Sequence, residues 1–513
     1  DAAYLGISKA SRAELHETFA TWLERARSGR LREYEEILGY HLEQAHHYRA
    51  ELAPANDLSS ALASRAAELL ASAGRRAFAR GDATASARLL TRATVLLLHD
   101  DRSRIEMAPD LGAALIEAGE LVQAETVLAR AETAAVAEGD RRLELRARLE
   151  RCWLQLRAEP KVAASGVQEI AERAIKTFEE LDDDAGLARA WSLLGGVHWF
   201  ASRWGARAEA LEQALVYARR AGDLRQESVA LGGLPLSLSW GATPIPEAVE
   251  RCRELLVQAG SNRTIEAKIL VVLAELEAGL GHFDEARSLY GRSKTIVEEL
   301  GLQLQLGVQT FAAGTIELLA GNPEAAEAEL RVGLDTLQRI GAQVASSTIA
   351  GLLGAAVYAQ GRYDDAERLT ELSEATAPEE DIATQIFWRG TRAKLLARKR
   401  IVDEAESVAR DAVGLAAGTD ALTVHGDALM NLAEVLRLVG DKEEAAAAAR
   451  EARGLYEEKR NVVLLAQAES GGDEGGSFLV SPALGRMIWT LVLFGFTMWV
   501  LSRVALPRIG EAL

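Results

Sequence analysis

Between residues 58 and 456 the apolar positions come in helix-length blocks, each closed by a short polar turn. The turns carry the clearest pattern. Gly281 precedes His-Phe-Asp-Glu-Ala, Gly321 precedes Asn-Pro-Glu-Ala-Ala, Gly361 precedes Arg-Tyr-Asp-Asp-Ala, and Gly440 precedes Asp-Lys-Glu-Glu-Ala. A small residue thus falls five positions on, at Ala286, Ala326, Ala366 and Ala445. Gly81, Gly119 before Ala124, Arg203 before Ala208, Gly241 and Arg400 before Ala405 fill the same slot. From Gly241 to Gly440 the slots are 40, 40, 40, 39 and 40 residues apart, and an unclear unit near Lys161 fills the gap between Gly119 and Arg203. A fixed period of this size predicts stacked supersecondary units.

The residue types in the slot explain the turn. Glycine adopts the left-handed conformation that ends a helix without steric cost. Asp82, Asn322 and Asp441 then stand where an N-cap accepts backbone N–H groups, and Pro323 stands at a first helical position. A second set of punctuators, Gly139, Gly222, Gly260, Gly301, Gly341 and Gly418, lies half a period out of phase. Two turns in 40 residues leave roughly 15 to 17 residues per helix, an ordinary length. Neither helix of such a pair buries its apolar stripe alone, so neighbouring pairs must supply the core. The prediction is an all-α, right-handed superhelical solenoid of about ten helix pairs spanning 58–456.

The block Leu353-Gly354, Gly361-Arg362-Tyr363 and Ala366 resembles the tetratricopeptide repeat, in a longer 40-residue form. That resemblance implies a scaffold that binds a protein or peptide on the concave face built from the first helix of each pair. Upstream, Arg12-Ala13-Glu14-Leu15-His16 and Gly39-Tyr40-His41-Leu42-Glu43-Gln44-Ala45 resemble the segment following the nucleotide-binding module in bacterial STAND-type regulators. Such chains often carry an adenylate-cyclase-like or LuxR-like domain. The resemblance implies a sensor arm, with residues 1–57 linking to an ATPase upstream of Asp1; no GxxxxGK[ST] phosphate loop occurs in the sequence.

Composition narrows the class. The chain has 513 residues, 49% of them hydrophobic but only 5% aromatic, so its apolar mass is Ala and Leu. A formal net charge of −18 argues against nucleic acid as partner. Cys152 and Cys252 have no CxxC neighbour and read as reduced core residues of a cytoplasmic protein.

From Ala468 the composition changes. Residues 457–477 read as an acidic Gly-rich linker, and 478–513 as a single membrane helix. Arg486, Trp489, Trp499 and Arg503 are its expected interfacial anchors in the inner membrane. Phe478 to Pro482, Met487 to Leu491 and Arg503 to Arg508 resemble the N-terminal membrane helix of ATP synthase subunit b. That resemblance implies the ATP synthase membrane sector as an alternative partner. Because each part resembles a different family cut off at the join, a fusion or a joined reading frame is expected.

Candidate chemistry is sparse. His41, His46 and His47 lie beside Glu43, but their spacing does not place three ligands on one helical face. Trp191 and Trp388 each fall twelve residues before a slot, the periodicity of core packing. Trp191, Trp199, Trp204 and Trp240 form the densest aromatic group, and a ligand or partner pocket is expected there. No GxSxG, HExxH or paired-cysteine motif occurs, so no catalytic, cofactor-binding or metal-binding residue is expected.

Overall fold

A computed structural model describes residues 6–52, 57–98, 101–158 and 160–470. Among these residues every regular element is helical. Contacts divide the chain into two compact units, Asp1–Gly241 with Glu250–Ile269, and Ala242–Val249 with Leu270–Leu513.

Two helices, α1 (Lys9–Ala26) and α2 (Leu31–Leu52), precede the repeats. Five pairs follow: α3 (Asp57–Ala79) with α4 (Ala83–Val95), α5 (Arg102–Glu117) with α6 (Leu121–Glu138), α7 (Arg141–Ala158) with α8 (Pro160–Glu180), α9 (Asp184–Phe200) with α10 (Trp204–Ala221), and α11 (Leu224–Trp240) with α12 (Ile245–Ala259). Five more run on: α13 (Arg263–Gly279) with α14 (Phe283–Glu299), the split α15 (Gln303–Val308) and α16 (Thr310–Leu319) with α17 (Pro323–Arg339), α18 (Gln343–Ala359) with α19 (Tyr363–Thr376), α20 (Ile382–Arg398) with α21 (Val402–Ala417), and α22 (Leu422–Val439) with α23 (Lys442–Lys459). A last helix, α24 (Val462–Ser470), closes the described chain.

One packing rule repeats along both units. A glycine on the first helix of a pair faces the residue sixteen positions later on the second. A Cβ on Gly314 would stand 2.6 Å from Leu330, one on Gly74 2.9 Å from Leu90, and one on Gly354 3.2 Å from Thr370. Gly112 and Leu128, and Gly195 and Leu211, form the same pairing. The slot alanines Ala124, Ala286, Ala326, Ala366 and Ala405 are fully buried, because the two helices approach too closely there for a larger side chain.

The punctuation mostly behaves as its chemistry dictates. Asp82 and Asp441 accept N–H groups from Ala85 and Glu444 as N-caps. Gly281 and Gly361 are left-handed, at φ 86 and 77. Ser202 and Arg400 take the same conformation without glycine, so the slot tolerates an ordinary residue where the turn is held from both sides. Four details differ from expectation. The slot expected at Arg203 falls one residue earlier, at Ser202, and Arg203 is the N-cap of α10, so Arg207 rather than Ala208 stands five positions on. Asn322 makes no cap bond, since its amide donates to Glu317 instead. Gly241 is extended and Gly418 is right-handed. The register stretches at these points, where the chain leaves the helix through Pro244 or through the Thr419 hydroxyl bond to Ala416.

The chain between 457 and 470 also differs from the linker expected there. α23 runs to Lys459, and Val462, Val463, Leu464 and Leu465 supply enough apolar surface to form α24, with Leu464 and Ala468 in the final core cluster. No helix among the described residues is long and apolar enough to cross a membrane. The membrane helix expected at 478–513, with Arg486, Trp489, Trp499 and Arg503, lies outside the described residues.

Candidate functional site

The first helices carry the polar interior of each unit. In the first unit, Arg75 on α3 meets Asp110 on α5 at 2.6 Å. The other oxygen of Asp110 accepts from Arg189 on α9 at 2.5 Å. Arg189 also lies 3.6 Å from Glu150 on α7 and 3.9 Å from Asp223, the N-cap of α11. Arg225 on α11 grips Glu150 with two bonds of 2.8 and 3.1 Å. Three guanidinium groups and three carboxylates from five successive first helices thus form one neutral lattice. Burial pushes the Asp110 carboxyl up, but Arg189 and Arg75 outweigh it and hold the group well below the usual carboxylate range. Burial likewise opposes the charge on Arg189, and Asp110, Asp223 and Glu150 reverse that effect. Taking any member away leaves a buried charge uncompensated.

The same unit folds back on itself. The Ser228 hydroxyl on α11 donates to the carbonyl of Ala79, the last residue of α3, at 3.2 Å. The Arg225 guanidinium lies over the Phe78 ring at 5.0 Å. The fifth first helix therefore touches the end of the first.

The second unit repeats this closure with different chemistry. The Gln467 amide on α24 donates to the carbonyl of Leu319, the last residue of α16, at 3.2 Å, and the Lys459 ammonium donates to the Thr243 carbonyl at 2.7 Å. Its interior relies on hydroxyl groups. Tyr358 on α18 donates to Glu434 on α22 at 2.6 Å and accepts from Arg398 on α20 at 2.7 Å. Lys394, almost wholly buried, lies 4.5 Å above the Tyr358 ring and 3.8 Å from Glu434. Tyr456 donates to Asp427 at 2.7 Å. Burial dominates here. It pushes Asp427 up to about 6 against the pull of Tyr456 and Lys394, Glu275 up to about 8, and Lys459 down to about 7 against Asp420.

Three of the four tryptophans singled out by sequence meet at the turn between α9 and α10. Trp199 and Trp204 pack edge to face at 5.1 Å, and Trp204 and Trp240 lie 5.3 Å apart. Trp191 does not join them. It points into the apolar cluster of Leu149, Phe178 and Leu193, as its place at mid-helix dictates. Sequence reasoning missed Arg207, whose guanidinium lies 4.7 Å above the Trp199 ring. It stands one turn after Arg203 and three residues beyond Trp204, the spacing that returns a helical side chain to the same face.

The histidines do not converge. His41 Nδ1 is 2.7 Å from His16 Nδ1, while His46 Nδ1 is 2.9 Å from the carbonyl of Ser59, and His47 is exposed. Burial lowers the pKa of His16 and His41. Glu277, His282 and Glu285 bring possible ligand atoms within 4.8 Å of one another. The buried Glu277 carboxylate there is hydrogen-bonded to His282 at 2.8 Å. Cys152 and Cys252 are free and buried, and burial pushes both thiols up, to about 11 and about 12, so neither is poised as a nucleophile. The lattice residues carried their own signal. Arg75, Asp110, Glu150, Arg189 and Arg225 are 35 to 40 residues apart, one per repeat.

No family profile matches the chain, and no curated protein sequence does. Among solved structures, it is similar to a Rap protein complexed with Competence and Sporulation Factor, at 12% identity and a TM-score of 0.53, over 70% of this chain and 99% of that one. A STAND protein with a tetratricopeptide repeat sensor from Pyrococcus horikoshii matches at 10% identity and a TM-score of 0.38, over 85% and 72% of the two chains. An IFIT1 monomeric mutant with Gppp-AAAA matches at 15% identity and a TM-score of 0.42, over 82% and 95%. None of these three is an ATP synthase component. At such identities only the first likeness bears on the chain, and it concerns the fold: the architecture is a tetratricopeptide-like array of helix pairs.

Proposed function

We propose that this chain is the interaction or sensor arm of a bacterial signalling regulator of the STAND type, non-catalytic in itself, which binds a protein or peptide partner along its first helices. The observation that carries this reading is the chemistry of those helices. They carry charged and hydrogen-bonding side chains at one per repeat, buried and paired along α5 to α11 and half exposed at Arg75 on α3, where the series can meet a partner chain. The likeness to a fold crystallised in complex with Competence and Sporulation Factor supports it. In this reading the repeats work in the cytoplasm, and residues 478–513 attach them to the inner membrane.

Partner capture by the full chain, followed by cross-linking and mass spectrometry, tests the reading. Cross-links should fall on the first helices, and exchanging Arg75→Glu should weaken capture. Cross-links confined to the second helices would sink it. Cell fractionation of the full chain and of a chain ending at residue 477 tests the attachment: only the full chain should sediment with membranes.

A further inference from the structure

We propose that Arg207 and Trp199 form a small oxyanion site at the α9–α10 turn, which takes a carboxylate carried on an apolar stem. The site takes Trp199, Gly233 and Ser237 from the first helices α9 and α11, but shares no residue with the charge lattice on which the interaction reading rests.

Arg207 is held by its neighbours on α11 and by Trp199. Its Nη1 donates to the carbonyl of Gly233 at 2.8 Å and to the hydroxyl of Ser237. A Cβ on Gly233 would stand 2.9 Å from Nη2, so the guanidinium lies in the space that glycine leaves empty. The ring of Trp199 covers it at 4.7 Å. The head group is therefore fixed in one plane before any ligand arrives, which removes most of the ordering cost of binding.

What this guanidinium lacks is a counter-charge. Arg189 and Arg225, the other deeply placed arginines of the unit, each meet carboxylates within 3.6 Å. Arg207 meets none among the described residues, and burial with no acid to offset it brings its pKa down to about 10. A half-buried cation without a partner is costly in a chain whose net charge is −18, where acids are abundant. Bonds through Nη1 leave Nε and Nη2 for a ligand, the pair that a carboxylate meets with two parallel bonds.

The surroundings set the rest of the ligand. Trp199 is 38% exposed, so the site opens to solvent. Trp204 is buried behind Trp199 and backs its ring, and the partly exposed Trp240 packs against Trp204, so the apolar surface beside the acid is that of Trp199 and Trp240. The C-terminus of a peptide ending in an aliphatic residue has this form, and so does a free N-acylated amino acid.

Tryptophan fluorescence of the full chain reads the site directly. The probes are N-acetyl-leucine, its uncharged amide, inorganic phosphate, and a short peptide ending in leucine with a free or amidated C-terminus. N-acetyl-leucine and the free-acid peptide should shift the emission, and both amides should not. Arg207→Met should weaken binding by about tenfold or more, and Arg207→Lys by less, since a lysine loses the paired geometry. Tighter binding of the peptide than of N-acetyl-leucine marks a protein source, and equal binding marks a metabolite. Circular dichroism of each variant establishes that the helices persist, and Trp199→Phe, which keeps an aromatic face, serves as a second variant with a smaller loss. An unchanged response in Arg207→Met, equal binding of acid and amide, or binding of phosphate in preference to N-acetyl-leucine overturns the proposal.

Discussion

The two units share one repeat geometry and differ in what they bury. In the first, charges meet charges: Arg75, Asp110, Glu150, Arg189, Asp223 and Arg225 neutralise one another across five helices. In the second, Tyr358 and Tyr456 satisfy Glu434 and Asp427, while Glu275 meets no cation among the described residues and is pushed toward its neutral form. The pairing of Gly112 with Leu128 and of Gly314 with Leu330 is the same in both. The scaffold is thus set by the small residues between helices, and the interior chemistry is free to vary on top of it.

The largest test of that contrast is to remove one cation from each unit. Arg189→Met should cost about 3–5 kcal/mol in denaturant unfolding, because Asp110 and Glu150 lose a buried partner. Lys394→Met should cost about 1 kcal/mol or less, since Glu434 keeps Tyr358 and Arg398. Equal costs would erase the distinction. Next, Gly112→Ala and Gly314→Ala should each cost about 1–3 kcal/mol by overpacking against Leu128 and Leu330. A large difference between these two would show that the shared geometry is only apparent.

The pH dependence should run in opposite directions. Asp110 is held below its ordinary value of 3.8, so its contribution is present above that pH and lost as acid protonates it. Glu275 is raised from 4.5 to about 8, so its contribution is present below 4.5 and lost as pH rises through 8. Hydrogen exchange resolved by unit should show the first weaken in acid and the second weaken toward pH 8. Glu275→Gln should restore roughly 4 kcal/mol to the second unit at pH 8 and nothing at pH 4. Smallest of all, Ser228→Ala and Gln467→Ala should each cost about 1 kcal/mol, through one closing hydrogen bond apiece.

The period was legible because the turns need particular residues. Gly281 and Gly361 must reach a conformation few side chains adopt, and Ala286 and Ala366 must fit where two helices nearly touch. Trp199, Trp204 and Trp240 were legible as a group because they bracket two turns that stacking brings together. Trp191 misled because density along the chain is not proximity in space: a helix turns it away from Trp199 into the core. Arg207 was invisible for a different reason. What distinguishes it from any exposed arginine is the missing side chain of Gly233, 26 residues away. α24 was hidden by the acidic and Gly-rich stretch that follows it, although its run of Val and Leu is helical in pattern.

The bond from Ser228 to Ala79 bears on how the first unit comes apart. A stack of repeats in contact only with neighbours frays from its ends, one pair at a time, and its melting is a zipper. Here the first pair is stitched to the fifth by that hydroxyl and by the Arg225–Phe78 stack. Peeling away α3 therefore loosens α11 at once, so the intervening pairs should open as a single block and the unit should behave more like a globular domain than like a ribbon.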